Sequence, residues 1–207
     1  FIEWRDIWVS ISILVILVLP VATFLLVKDV KLDTREESKV EENNKEIKQW
    51  KRIEVLKDYR FYIMCMTMLA MPWIATGSFV YQSFISSSKE WGPYVIAQSF
   101  MAYSIFSVIT LFISGFLIDK FSSRKLLIYM NVPLFFSTVV LYYFNAPLSS
   151  FVFFGLLGVT NGLANVLGSS TWAEIYGVKY IGSIKALTTA LMVFSTAFGT
   201  ALFGFLI

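Results

Sequence analysis

Histidine is absent from this chain of 207 residues, and cysteine occurs once, at Cys65. The first absence removes the commonest side chain for acid–base catalysis and metal ligation near neutral pH. The second excludes an internal disulfide and a multi-cysteine metal site. Charge is also scarce: 15% of residues are charged against 57% hydrophobic, a balance foreign to soluble domains. No glycine-rich loop that would cradle a nucleotide phosphate is found, which argues against an ATP-driven pump. A repeated polar filter or a ring of like charges, the usual mark of a channel, is missing too. A Ser–His dyad is impossible, and the lysines nearest to apolar segments, Lys120 and Lys185, fall in stretches that read as basic loops. The chain is therefore not expected to be an enzyme, to bind a metal, to need a cofactor or to bind nucleic acid.

What remains is apolar, in long runs. They cover roughly Ile7–Val27, Phe61–Ser86, Pro93–Ile118, Leu126–Phe144, Leu148–Thr171 and Ala186–Ile207. Each approaches the ~20 residues that a helix needs to cross ~30 Å of hydrocarbon. Backbone amides in a bilayer must be paired within their own segment, so these runs are expected to be helices. Barrel strands would be shorter and would alternate with polar residues. The predicted fold is all-α: a polytopic membrane protein with six transmembrane helices. Its expected organisation is a first span over residues 1–27, a charged linker over 28–60, and five spans over 61–207.

Basic residues fall in every second loop, as alternating crossings require. Lys120, Arg124 and Lys125 follow the third span, and Lys179 and Lys185 follow the fifth. The opposite side has only Arg5 and Lys89. Positive charge favours the cytoplasmic side, so the linker is expected in the cytoplasm, of a plasma or bacterial inner membrane. Within the linker, Lys28 to Lys45 mixes acids and bases without apolar spacing, and reads as a solvated connector. Ile47, Trp50, Ile53 and Leu56 then recur every third residue between lysines and arginines. That pattern predicts an amphipathic helix on the membrane surface. The chain starts at Phe1 without an initiator Met and stops at Ile207 in an apolar run, so both ends read as edges within a longer protein.

A span, a long charged linker and then short-looped spans resemble helices six to eleven of a major facilitator superfamily transporter. The most specific local match is GFLIDKFSSRK, residues 115–125. It resembles the family's G-x-x-x-D-[RK]-x-G-[RK]-[RK] loop in its second-half copy. Ser122 stands at the motif glycine and Ser123 at the first of the two basic positions. A second match, WAEIYG at 172–177 followed by Gly182 and Ser183, resembles the loop between helices ten and eleven. Among members, the pattern is most similar to bacterial carriers of small organic solutes, including monocarboxylate-like ones. The resemblance implies a partial bundle that acts with a missing N-terminal half, in a lipid bilayer, on a small-molecule substrate. It implies a secondary active or facilitative carrier working by alternating access. A solute receptor or a channel subunit without carrier activity is the alternative.

The same resemblance implies a cytoplasmic gate built from Gly115, Asp119, Lys120, Arg124, Lys125 and Glu174. Asp119, where its helix leaves the membrane, suits the positive end of a neighbouring helix, and the bases suit Glu174. The second and fifth spans are expected to line the solute cavity. Asn161 and Asn165 lie four apart on the fifth, hence on one face. Their alternative use is hydrogen bonding between helices. On the second span Trp73 and Tyr81 share a face, with Thr76 and Gln82 alongside; Gln98 and Tyr103 belong to the third. Each aromatic offers a flat apolar surface with one polar tip, or simply packs. Gly155, Gly158 and Gly162 predict close helix approach in the fifth span, as do Ala190, Ala197, Gly199, Ala201 and Gly204 in the sixth. Pro72 and Pro133 predict kinks. No acid or base is expected inside the five later spans, so either such groups lie in the missing first half or transport is not proton-coupled, with facilitated diffusion or solute exchange open.

Overall fold

A computed structural model describes residues 49–207. The first predicted span, Ile7–Val27, and the linker as far as residue 48, including Ile47, lie outside the described residues. The described chain forms α1 (Arg52–Lys57), α2 (Tyr59–Val80), α3 (Gln82–Ser88), α4 (Val95–Phe121), α5 (Ser123–Tyr129), α6 (Val132–Tyr143), α7 (Pro147–Tyr176) and α8 (Ile181–Leu206). No strand occurs among the described residues. Among the described residues, five segments are long and apolar enough to cross a membrane: α2, α4, α5 with α6, α7 and α8. The fold is the expected all-α polytopic bundle.

Helix ends follow local chemistry more than hydropathy. Proline opens α7 at Pro147 and sits in the first turn of α6 at Pro133, where a missing N–H costs nothing. Pro133 thus starts a helix after a break at Met130 and Asn131, rather than kinking one. Gly177, with φ +80°, terminates α7. Hydropathy ends the fifth span at Thr171, but the helix runs on to that glycine, and Glu174 is helical. Likewise α8 begins at Ile181 rather than Ala186, which places Lys185 inside the helix rather than in a loop.

Pro72 lies within α2 without ending it. It has no N–H to offer the Met68 carbonyl. The carbonyls on either side are held by neighbours: Asn131 Nδ2 donates to Thr67 O at 2.8 Å, and Ser195 Oγ donates to Leu69 O at 3.3 Å. Side chains from two other spans thus support the turn that the proline weakens.

The bundle is organised around α7, which packs most extensively on α4 and also on α6. The α4–α7 contact is notched by glycines. A Cβ at Gly158 would strike Tyr103 O, and one at Gly162 would lie 2.6 Å from Ser107 O. The seam between α2 and α8 is built differently, with rings laid on glycines: Trp73 on Gly199, Tyr81 on Gly204 and Phe203 on Gly77. The contacts of α7 with α2 and α8 are sparser, and a cavity opens there.

Residues 49–58 depart from the expected surface helix. Only Arg52–Lys57 is helical, and Val55 is its buried residue, packed in a core with Phe61, Leu167, Trp172, Tyr176 and Ile184. Ile53 is 68% exposed and Leu56 37% exposed, while Val55 and Trp50 pack inward. The register is set by a tether: Trp50 N–H donates to Tyr176 O at 3.1 Å, and the Trp50 ring meets the Tyr176 ring edge-on. In addition, Gln49 Oε1 accepts from Lys179 N at 3.0 Å. These contacts and the α4–α5 turn define one end of the bundle, called here the linker end.

Candidate functional site

Polar groups in the spans mostly satisfy themselves locally. Ser78, Thr160 and Ser170 donate to carbonyls one turn back in their own helices, which disposes of a hydroxyl in apolar surroundings. Others tie neighbouring helices, and two places gather several polar groups: the cavity between α2, α7 and α8, and a cluster around Glu174 at the linker end.

The cavity encloses about 200 Å³. From α2 it takes Cys65, Met68 and Leu69; from α7, Ala164, Asn165, Gly168, Ser169 and Trp172; from α8, Lys185, Thr188, Thr189 and Met192. Asn165 Nδ2 donates to Asn161 O at 2.9 Å, which turns its amide along the cavity wall. On α8, Lys185, Thr188, Thr189 and Met192 recur at i, i+3, i+4 and i+7, one helical face. The result is an apolar wall from α2 opposite hydroxyls, an amide and an ammonium.

At the linker end, α4 stops at Ser122, whose φ of +69° is rare for a residue with a Cβ. The turn throws two serines toward α7. Ser122 Oγ donates to Glu174 Oε1 at 2.6 Å, and Ser123 N–H donates to Oε2 at 2.9 Å. The buried Ser123 hydroxyl also donates to Oε2. Arg124 adds Nε at 3.3 Å from Oε1 and an Nη2 hydrogen bond of 2.9 Å to Glu174 O. Because Ser123 is the first residue of α5, the carboxylate caps a helix start and faces its positive end.

A family profile described as the Major Facilitator Superfamily matches residues 1–200. The chain belongs to the major facilitator superfamily. It is therefore an integral membrane protein of a transporter family, one whose members are in general not enzymes. Comparison with curated proteins and with solved structures returns no match.

Within this superfamily frame, the two departures from the loop motif acquire a use. Ser122 replaces the motif glycine at a backbone position that favours glycine, and its hydroxyl holds Glu174. Ser123 replaces a basic residue and supplies two of the carboxylate's donors. The helix start expected for Asp119 is taken by Glu174. Asp119 is exposed and makes no hydrogen bond or ion pair among the described residues. Lys120 lies over the Phe121 ring at 5.4 Å, and Lys125 is exposed. Around Gly115 an added Cβ would find nothing within 4 Å.

Of the pathway candidates, Asn165 lines the cavity. Asn161 instead donates from Nδ2 to Ser107 Oγ at 2.8 Å, tying α7 to α4. Trp73 packs against Phe198 and Gly199. Tyr81 donates its hydroxyl to Thr200 O at 3.1 Å. Tyr103 stands edge-on to Phe79 at 5.4 Å. Thr76 is half-buried on α2, and Gln98 is exposed near the start of α4. Gln82 lines a separate depression with Ser86 and Ala97, away from the linker end. Lys185, Ser169, Thr188 and Thr189 were not among the sequence candidates. The i, i+3, i+4 spacing of Lys185, Thr188 and Thr189 was a visible signal; placing the helix start at Ala186 hid it.

Proposed function

We propose that this transporter chain works as a secondary active or facilitative carrier of a small organic solute, by alternating access, with the α2–α7–α8 cavity as its solute site. One observation carries the reading. Asn165 and Ser169 of α7 and Lys185, Thr188 and Thr189 of α8 converge on one opening beside three spans. Carriers of this general build bind solute between helices near the middle of the bilayer. The cluster of Ser122, Ser123, Arg124 and Glu174 lies at the linker end, and we assign it as a gate contact that one conformation makes and the other breaks. Gly115, Asp119, Lys120 and Lys125 belong to the same motif, at the end of α4 and the start of α5, and act in the conformation that closes on it. The basic loops support a cytoplasmic linker end, in a plasma membrane. The N-terminal half of the same protein then supplies the facing cavity wall.

Reconstitution in liposomes tests this. A carrier shows saturable uptake that is accelerated by unlabelled solute on the far side. Conductance without that acceleration identifies a channel, and binding without flux identifies a receptor; either would end the carrier reading. Replacing Asn165 by Trp, to fill the cavity, is expected to abolish uptake while leaving the protein in the membrane.

A further inference from the structure

Three helices wall the cavity, and residues 49–58 are bonded to the linker end of each. At α7, Trp50 N–H donates to Tyr176 O at 3.1 Å, and the two rings meet edge-on with centroids 5.5 Å apart. On the turn that leads into α8, Lys179 N–H donates to Gln49 Oε1 at 3.0 Å. The Gln49 side chain lies against Gly177, in space that a Cβ would occupy. At α2, Asp58 is the N-cap. Its Oδ1 accepts from Arg60 N–H at 3.0 Å, while its Oδ2 accepts from the Tyr176 hydroxyl at 3.1 Å. One short segment thus joins the start of α2, the end of α7 and the approach to α8.

Between these ties, α1 turns one side chain into the bundle. Val55 is fully buried and shares its core with Cys65, Met68 and Trp172, which also line the cavity. Trp172 stacks on Tyr176 with centroids 5.9 Å apart. The ring held by Trp50 and Asp58 therefore backs the cavity wall. On the outer side of the segment, Arg52, Ile53, Leu56 and Lys57 are exposed. Burial of Val55 and the bond from the Tyr176 hydroxyl both favour the docked position. A close-packed core passes no solute, so a route from the linker end to the cavity requires Val55 to leave its place.

We infer that residues 49–58 are a strap that shuts the linker end of the cavity, with Val55 as its stopper, and that the cavity opens on that side when the strap lifts. The role in transport rests on the reading of this cavity as the solute site; the shutting itself is tested without any solute. The strap is separate from the Glu174 cluster, which ties the α4–α5 turn to α7. Its attachments are hydrogen bonds, a ring contact and one apolar side chain, all of which can be made and broken as a unit. Such a contact has two discrete positions, docked and lifted, and small shifts of the helices it joins select between them.

Cys65, buried on the cavity wall, is the reporter. The full protein in liposomes is exposed, on one face or the other, to a membrane-impermeant methanethiosulfonate. Modification of the peptide that contains Cys65 is followed by mass spectrometry, and protease cleavage of the linker identifies the linker face. Gln49→Ala combined with Trp50→Ala is expected to speed labelling from the linker face by about tenfold or more, with the other face unchanged. Tyr176→Phe keeps the ring stack and loses the bond to Asp58, and is expected to speed it about two- to fivefold. Ile53→Ala, on the outer side of the strap, is expected to change nothing. Hydrogen exchange at the α4–α7 contact is expected to stay at the parental rate in every variant. The inference is overturned if the double variant labels like the parent, if both faces speed alike, if Ile53→Ala matches Tyr176→Phe, or if faster labelling comes with faster exchange at the α4–α7 contact. Should the double variant not fold, Tyr176→Phe against Ile53→Ala decides alone. Flux separates the two readings. One-sided control of Cys65 without flux sinks the carrier and leaves the strap standing; saturable flux with Cys65 access indifferent to the strap does the reverse.

Discussion

Ser122 donates its hydroxyl to Glu174 Oε1 at 2.6 Å from a backbone held at φ +69°. Strain and hydrogen bond are thus opposed in one residue. A positive φ of this kind costs a residue with a Cβ about 1–3 kcal/mol, and a hydrogen bond to a charged group is worth about 1.5–3 kcal/mol. Ser122→Gly is therefore expected to leave stability within about 1 kcal/mol of the parent, because both are removed together. Ser122→Ala keeps the strain and loses the bond, so it should lower the unfolding midpoint clearly. Thermal unfolding of the two variants side by side decides; equal effects would disprove the trade.

The partners of Glu174 should be unequal. Ser123 is fully buried and donates twice, whereas the Arg124 side chain is 56% exposed. Exposed ion pairs contribute about 0–1 kcal/mol. Double-mutant cycles with Glu174→Gln should give a coupling below about 1 kcal/mol for Arg124→Ala, and a larger one for Ser123→Ala. The reverse order would show that charge, not the serine pair, holds this end.

Glycine substitutions should divide by seam. Gly158→Ala and Gly162→Ala put a methyl into the backbone of α4, and overpacking of this kind costs about 1–3 kcal/mol. Gly168→Ala and Gly115→Ala meet nothing within 4 Å and should leave stability unchanged. Normal folding with lost transport in Gly115→Ala would place that position in a contact made only by the other conformation. Circular dichroism melts and uptake, measured on the same preparations, separate the cases.

The turn before Pro72 offers a conditional effect. Ser195→Ala removes a donor to Leu69 O and should destabilise by about 0.6–2 kcal/mol, the range of hydrogen bonds between membrane helices. In a Pro72→Ala background, a regular helix no longer needs that support, and the same change should cost less. Additive losses would mean that Ser195 has no connection with the proline.

The two asparagines should part company. Asn161→Ala breaks the bond to Ser107 and is expected to lower stability with solute affinity retained. Asn165→Ala, on the cavity wall, should do the opposite. Identical behaviour would reject their division between a tie and a lining.

The spans were legible because hydrocarbon imposes a length and a composition that can be counted. Their ends were not, since a helix stops at a cap and not where hydropathy falls. Gly177 carries α7 past Thr171, and the early start at Ile181 moves Lys185 from loop to cavity. Pro133 signalled an irregularity in its run, but not that the helix would break at Met130 and Asn131 and restart. Arg124 and Glu174 were paired from charge alone, but the serines between them looked like losses from a motif. Only the backbone turn shows that they face the carboxylate. The burial of Val55 was not legible, because it follows from a tether at Trp50 that periodicity does not register.

The two seams have a mechanical consequence. Where α4 meets α7, carbonyls of one helix sit in notches of the other, and sliding would drive backbone into backbone; this joint is a key in a slot. Where α2 meets α8, aromatic side chains rest on glycines, and backbone does not interlock with backbone. The keyed pair is therefore expected to move as one piece, and a slip along α2 and α8, which with α7 bound the cavity, would have to break the Tyr81–Thr200 and Ser195–Leu69 hydrogen bonds.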